Sequence, residues 1–401
     1  MSEAKGQNED LDDLIAREVI PSLQEQPPSL KREFKPWHKP RKQLVRRAWA
    51  LHASGLMKKL HVPMGAEKTF RYLTLPGEDM LDVRSLGSIA AQKGFRLHYL
   101  AFNGAGKNSK EERILTLSQH HILSQDWADV SSKIVWQRLE NVAAAEKSDA
   151  FVSAVRHGPY HAINLDLCDS IACKNLRSGN PCGLDALAKI FQLQTDYCSH
   201  DWLLFVATRV LSSEVNLDYL NSFLSSIKSN IESSDEFRAA FEGLFKRSNL
   251  SSDDVLSAPE RLPSPVFLEL FCVGFSKWLL RLLGEASPRW QLKMLKSYCY
   301  SVYGGEPDML SLVYKVERVV KHTSTPPGML YGQLSAARPE EEPVLARCIV
   351  ERTAALLDLD AKLASDPQLF SSLAGETEAL LREASYDVST YLEWAKNELI
   401  V

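Results

Sequence analysis

The sequence predicts an α/β fold: a mostly parallel sheet closed by a C-terminal β-hairpin, with a helical N-terminal arm, a helical insert and a helical C-terminus. Three observations predict it. From Thr69 onward short apolar runs alternate with helix-period stretches, which is what crossover-connected parallel strands produce. Two late strand-like runs flank the turn signal "GEPD", residues 305–308, and read as an antiparallel hairpin. The segments on either side of this region carry helical spacing instead.

Strands are expected at 70–75 ("FRYLTL"), 96–102 ("RLHYLAF"), 133–136 ("KIVW"), 160–167 ("YHAINLDL") and 202–208 ("WLLFVAT"). Each gap between them holds helical material, one piece opening with a capping box of Ser109 and Glu112. The hairpin strands follow at about 292–304 and 309–319. Residues 216–283 read as a helical insert, and the chain is helical after Pro343. The expected divisions are an acidic, proline-punctuated disordered tail at 1–30, a basic arm and helix at 31–68, the α/β domain at 69–320 and a helical segment at 321–401.

The 401 residues are 45% hydrophobic and 24% charged, the balance of an ordinary globular chain. A net charge of -4 excludes a global electrostatic case for nucleic acid or membrane, so any such case is local. The most apolar stretch, 266–283, carries Glu269, Lys277 and Arg281, which makes it a buried core helix rather than a membrane span. Seven scattered cysteines and a start without signal-peptide regions point to a cytoplasmic protein with free thiols.

Residues 31–47 hold eight Lys/Arg against one Glu, with Phe34, Trp37 and His38 interleaved. Pro36 and Pro40 are expected to keep the first half extended. From 43 to 60, apolar residues at Leu44, Ala48, Leu51, Leu56 and Leu60 predict an amphipathic helix with Arg46 and Arg47 off its stripe. Lys35, Trp37, His38, Lys39, Arg41, Lys42, Arg46 and Arg47 are thereby candidate nucleic-acid contacts, through phosphate neutralisation and aromatic stacking. Docking of a protein partner, or pairing with the acidic first 13 residues, are the competing readings of the same arm. The end of the chain, "STYLEWAKNELIV" with Leu392, Leu399 and Ile400, could dock a partner or cover the sheet.

Three further stretches carry a resemblance: "TLPGEDMLD" after the first strand, "AFN" ending the second and "INLDLCDS" ending the fourth. With five alternating strands and a terminal hairpin, residues 69–320 resemble the class I S-adenosylmethionine-dependent methyltransferases, a Rossmann-like superfamily. More loosely, the layout resembles uncharacterised bacterial methyltransferase-like proteins of defence clusters, including the three-Cys-motif partner type. The resemblance implies S-adenosylmethionine between the turns at Gly77 and Asn103, with Asp166 and Asp169 as positioning group or general base. The sequence departs from the family pattern at two points. Gly77 stands alone after Pro76 where two or three glycines are usual, and Asn103 replaces the acid that holds ribose hydroxyls. These departures imply a degenerate relative, a nucleic-acid-binding or scaffold subunit of a bacterial multi-protein defence system; the alternative is an active methyltransferase on nucleic acid or protein.

Other motifs point to structure. Cys168, Cys173, Cys182 and Cys198 with His200 contain no Cys-x-x-Cys knuckle, so no metal is expected. "NGAGKNSKEE" lacks the first glycine and the Ser/Thr of a phosphate loop and reads as a turn before a capped helix. Asp166 could equally cap a loop and Asp169 start a turn.

Overall fold

Parallel strands buried on both faces must be apolar along their whole length, and that requirement explains the central strands. The computed structural model describes residues 31, 33–61, 65–173, 181–286, 289–319 and 341–398. The strands are β1 Thr69–Thr74, β2 Arg96–Phe102, β3 Lys133–Val135, β4 Ala162–Asp166, β5 Trp202–Arg209, β6 Trp290–Met294, β7 Tyr298–Tyr300, β8 Met309–Arg318 and β9 Leu357–Asp358. Their order in the sheet is β3-β2-β1-β4-β5-β8-β7-β9, with β6 also paired to β8. β1 to β5 run parallel and β8 runs antiparallel to β5. This is the mostly parallel sheet with a C-terminal hairpin that the sequence predicts. Strand order reverses between β1 and β4, which opens a crevice at their carboxyl ends.

The hairpin differs from expectation in one respect. Its first strand is broken into β6 and β7, because residues 295–297 oppose only two residues of β8 between the pairs Met294–Tyr314 and Tyr298–Ser311. The Val313 amide donates instead to the Ser297 hydroxyl, 3.1 Å, so the bulge keeps the ladder satisfied. β9, two residues long and parallel to β7, interrupts the expected helical end of the chain. A strand that short leaves no periodic trace.

Helices cover both faces. On one side α1 (Pro40–Met57) and α2 (Leu81–Gln92) set Val45, Trp49, Val83 and Leu86 against Phe70, Tyr72, Tyr99 and Phe205. Proline at the start of α1 meets the helix where its missing N–H costs nothing. The expected extended stretch before it is instead a 3-10 turn, Pro36–His38. The apolar stripe of α1 is also phased differently: Val45, Trp49 and Ala53 are buried, whereas Leu51 is 63% exposed. Trp49, stacked on Phe205 at 5.7 Å, sets that phase.

On the other side α5 (Asp149–His157), α6 (Gly183–Tyr197), α7 (Leu217–Ser233) and α10 (Ser264–Gly284) close the larger core. α3 is Lys110–Leu123, α4 Asn141–Ala144, α8 Asp235–Lys246 and α9 Ser252–Ser257. α10 is the apolar stretch read as a buried helix, and it is buried. Among the described residues no helix is long and apolar enough to cross a membrane. A Cβ at Gly274 of α10 would stand 2.7 Å from Phe223 Cβ of α7, so glycine lets these helices approach. α11 (Glu342–Ala354), α12 (Leu359–Ser365), α13 (Pro367–Glu383) and α14 (Tyr391–Asn397) complete the chain. α13 and α14 form a third apolar cluster with Phe34, Leu44 and Leu81. The tail at 1–30 and the terminal Leu399 and Ile400 lie outside the described residues.

Candidate functional site

A cavity of about 580 Å³ occupies the crevice at the strand ends, within the range of small-molecule sites. Its floor is the β1–α2 loop, its sides are the ends of β2 and β4, and α1 closes it from above with Arg41, Lys42 and Arg46. Lys42 and Arg46 are four residues apart and therefore share one helix face.

Lys42 Nζ lies 2.5 Å from Asp166 Oδ1 and 3.3 Å from the Tyr300 hydroxyl. Burial pulls the Lys42 pKa down, but Asp166 and Tyr300 outweigh it and hold the ammonium above its ordinary value. Arg46 is 5% exposed. One of its nitrogens donates to the Trp37 carbonyl at 2.6 Å, while Nη1 is buried with no partner. Burial lowers its pKa, against the attraction of Asp166 and Asp82. Asp82 Oδ2 accepts from Thr74 at 2.5 Å and from Tyr72 at 2.9 Å. Burial nonetheless raises its pKa. Asn164, fully buried on β4, donates to the Tyr72 hydroxyl at 2.8 Å and fixes that network to the sheet.

The β1–α2 loop is held from outside. Asp79 accepts from Lys31 at 2.6 Å, His38 at 3.2 Å and Tyr386 at 3.0 Å. Burial would raise its pKa, but the bonds from His38 and Lys31 hold it at about 2. The Lys35 amide donates to His38 Nδ1 at 3.1 Å, so Nε2 carries the hydrogen that faces Asp79. Burial keeps the His38 pKa below its ordinary value. Met80, at φ 51, takes the left-handed turn into α2.

The sequence-predicted residues divide. Gly77, Asn103 and Asp166 all line the cavity. A Cβ on Gly77 would meet open space, so nothing here demands glycine. Asn103 spans two loops, donating to the Pro76 carbonyl at 3.2 Å and accepting from the Ala105 amide at 2.8 Å. Asp169 is exposed and stands outside the cavity lining; its backbone carbonyl receives the Arg209 amide at 3.3 Å. Of the eight arm residues, His38, Lys39, Arg41, Lys42 and Arg46 are turned inward and buried. Arg41 pairs with Asp360 at 2.6 Å and Lys39 with Glu398 at 2.7 Å. Lys35 pairs with Glu33 and Arg47 with Glu376. Trp37 is half-buried on the cavity wall.

The sequence reading missed Asp79 and Tyr300 as parts of this site; Asp82, which the sequence leaves open between a cap, a solvent-facing residue and a ligand contact, lines it. A signal for α1 existed in the i, i+4 spacing of Lys42 and Arg46 beside Val45 and Trp49, which puts two cations on the buried stripe. The cysteines are all free; Cys182 donates to the Tyr219 hydroxyl at 3.1 Å, and Cys198 sits 3.5 Å from His200 Nδ1. Among the described residues no group of three or more His, Cys, Asp or Glu could hold a metal.

No curated protein matches the sequence. Two solved structures are similar in part: a provisionally assigned rRNA methylase from Clostridium thermocellum, 8% identical over 68% of this chain and 97% of its own, TM-score 0.30; and loganic acid methyltransferase with SAH, 10% identical over 72% of this chain and 98% of its own, TM-score 0.30. The PP_RS20740-like family model matches residues 31–396, nearly the whole described chain, and the protein therefore belongs to the PP_RS20740-like family.

Proposed function

We propose that the cavity binds S-adenosylmethionine and that the protein is a methyltransferase. The observation that carries this reading is the buried Arg46 guanidinium, whose Nη1 lacks a partner in a cavity that also holds Asp82 and Asp166. A buried donor of this kind is costly unless a ligand accepts from it. The donor set fits the zwitterionic amino-acid end of the cofactor: Arg46 for the carboxylate, Asp82 or Asp166 for the ammonium. Leu75, Phe102 and Leu139 offer apolar surface for an adenine, with Asn103 beside them. When bound, S-adenosylmethionine supplies an activated methyl group.

Lys42 holds the Asp166 carboxylate in place while leaving it further lone pairs to accept an acceptor's proton. Cys168, Arg209 and Tyr303 line the same cavity, and exposed Tyr303 lies under the Arg209 guanidinium at 5.4 Å. An acceptor on a nucleic acid or protein would approach there. Among the described arm residues the inward pairing leaves Lys35 and Arg47 as the more exposed cations, so the arm's role in this reading is to wall the cofactor cavity.

A second reading, a scaffold that no longer binds cofactor, is favoured by Asn103, whose side chain is already engaged at both ends, and by the open space at Gly77. Calorimetry separates the two. Titration with S-adenosylmethionine should give micromolar binding that Arg46→Leu weakens by about 10–100-fold; silence at millimolar ligand would support the scaffold.

A further inference from the structure

A second cavity, about 550 Å³, opens toward the amino ends of β1, β2 and β3, away from the crevice. Strand register builds it. Arg71 on β1 is the partner of His98 on β2, and Lys133 on β3 is the partner of Leu100, two residues further along the same face. The last turn of α5 adds Arg156 and His157 above them, and the loop before β3 adds Asp129 and Ser131.

Every lining side chain is polar, and three permanent cations stand against one carboxylate. That carboxylate is already engaged: Asp129 Oδ1 accepts from the Ser131 hydroxyl at 2.6 Å and its amide at 2.8 Å, with His98 Nδ1 at 3.4 Å from Oδ2. The cations keep donors to spare: Arg71 gives one bond to the Gly158 carbonyl at 2.8 Å, Lys133 pairs with Asp149 at 3.2 Å and donates to the Ser153 hydroxyl at 3.1 Å, and Arg156 is exposed. His98, only 7% exposed, stacks on His157 at 5.1 Å with Nε2 and Nδ1 2.9 Å apart. With hydrogen on His98 Nδ1 toward Asp129, Nε2 accepts from His157 Nδ1, and His157 Nε2 is left as a site that takes a proton. His161 and His200 stack beyond Arg71 at 4.3 Å.

We propose that this cavity binds a compact dianionic oxyanion, a phosphate group free or carried by a small molecule. Arg71, Lys133 and Arg156 supply charge-assisted donors, and His157 protonates as the anion enters. The field is in place: burial first, then His98, Lys133, Arg156 and Arg71, pushes the His157 pKa down to about 4, and a bound dianion reverses the last of these contributions. Binding therefore takes up a proton and strengthens as pH falls.

Isothermal titration with sulfate, whose charge is constant between about pH 5.5 and about pH 7.5, tests this directly, with inorganic phosphate as the second probe. Sulfate should bind more tightly at the lower pH, Arg156→Ala and Lys133→Ala should each weaken it about tenfold, and His157→Gln should flatten the pH dependence. Thermal melting of the variants reports whether they remain folded; Arg156, on the surface, can be removed without disturbing the core. No sulfate or phosphate binding at millimolar concentration at either pH overturns the proposal, as does affinity unchanged in the Arg156→Ala/Lys133→Ala double variant. A single-stranded oligonucleotide that binds through Arg156 where free phosphate does not would also overturn it, in favour of a nucleic-acid surface.

Discussion

Arg46 and Lys42 look alike in the sequence and do different work in the fold. Lys42 is engaged by Asp166 and Tyr300, so Lys42→Met should leave Asp166 unpaired in a part-buried site and lower thermal stability, a loss that adding Asp166→Asn should partly restore. Arg46 keeps a free donor beside its bond to the Trp37 carbonyl, so Arg46→Leu should cost ligand and lower melting less than Lys42→Met does. An equal loss of stability in both variants would contradict this division. The sequence made these cations visible but assigned them to a surface arm, because their partners lie 124 and 258 residues away from Lys42. Spacing along a helix is local information, whereas a buried ion pair is closed by the tertiary fold.

At the scale of elements the sequence was more informative. β2 lies at its expected bounds, Arg96–Phe102, and the other parallel strands within two residues of theirs, since period and length are properties of the segment itself. The bulge at Ser297 and the short β9 were not legible, because each depends on a neighbouring strand. The α7–α10 contact gives a paired test of packing. Gly274→Ala should destabilise by about 1–3 kcal/mol through overpacking on Phe223. Gly243→Ala, in α8 with open space around the new methyl, should stabilise by about 0.5–1 kcal/mol. Melting temperatures that move in the same direction would show the α7–α10 approach to be looser than it is here.

For the whole molecule the half-buried histidines His157 and His161 shape the response to pH. Burial, then His200 and Arg71, pushes the His161 pKa down to about 3, and His157 sits at about 4. Both folded values lie below the roughly 6.5 of an unfolded chain, so the unfolded chain takes up protons first. This stability is complete above about pH 6.5 and is lost as pH falls toward 4. Melting followed between about pH 7 and about pH 4 should show that decline, and His161→Phe, which preserves the stack on Phe70, should flatten it. Asp79 adds a later loss, between about pH 4 and about pH 2, because its folded pKa is the depressed one.

Asp79 also joins distant parts of the chain: Lys31 and His38 reach it from one end and Tyr386 from the other, and it sits in the loop that floors the cavity. Lys31 additionally bridges to Tyr386 through the backbone. Releasing either end removes donors from a buried carboxylate, so the floor of the cavity cannot loosen alone. In hydrogen exchange, the amides of residues 75–80 and those of α13 and α14 should open as one unit and slow together when a ligand fills the cavity. A ligand that grips the floor thereby fastens both ends of the described chain, and resistance to proteolysis at those ends becomes a readout of an event in the crevice.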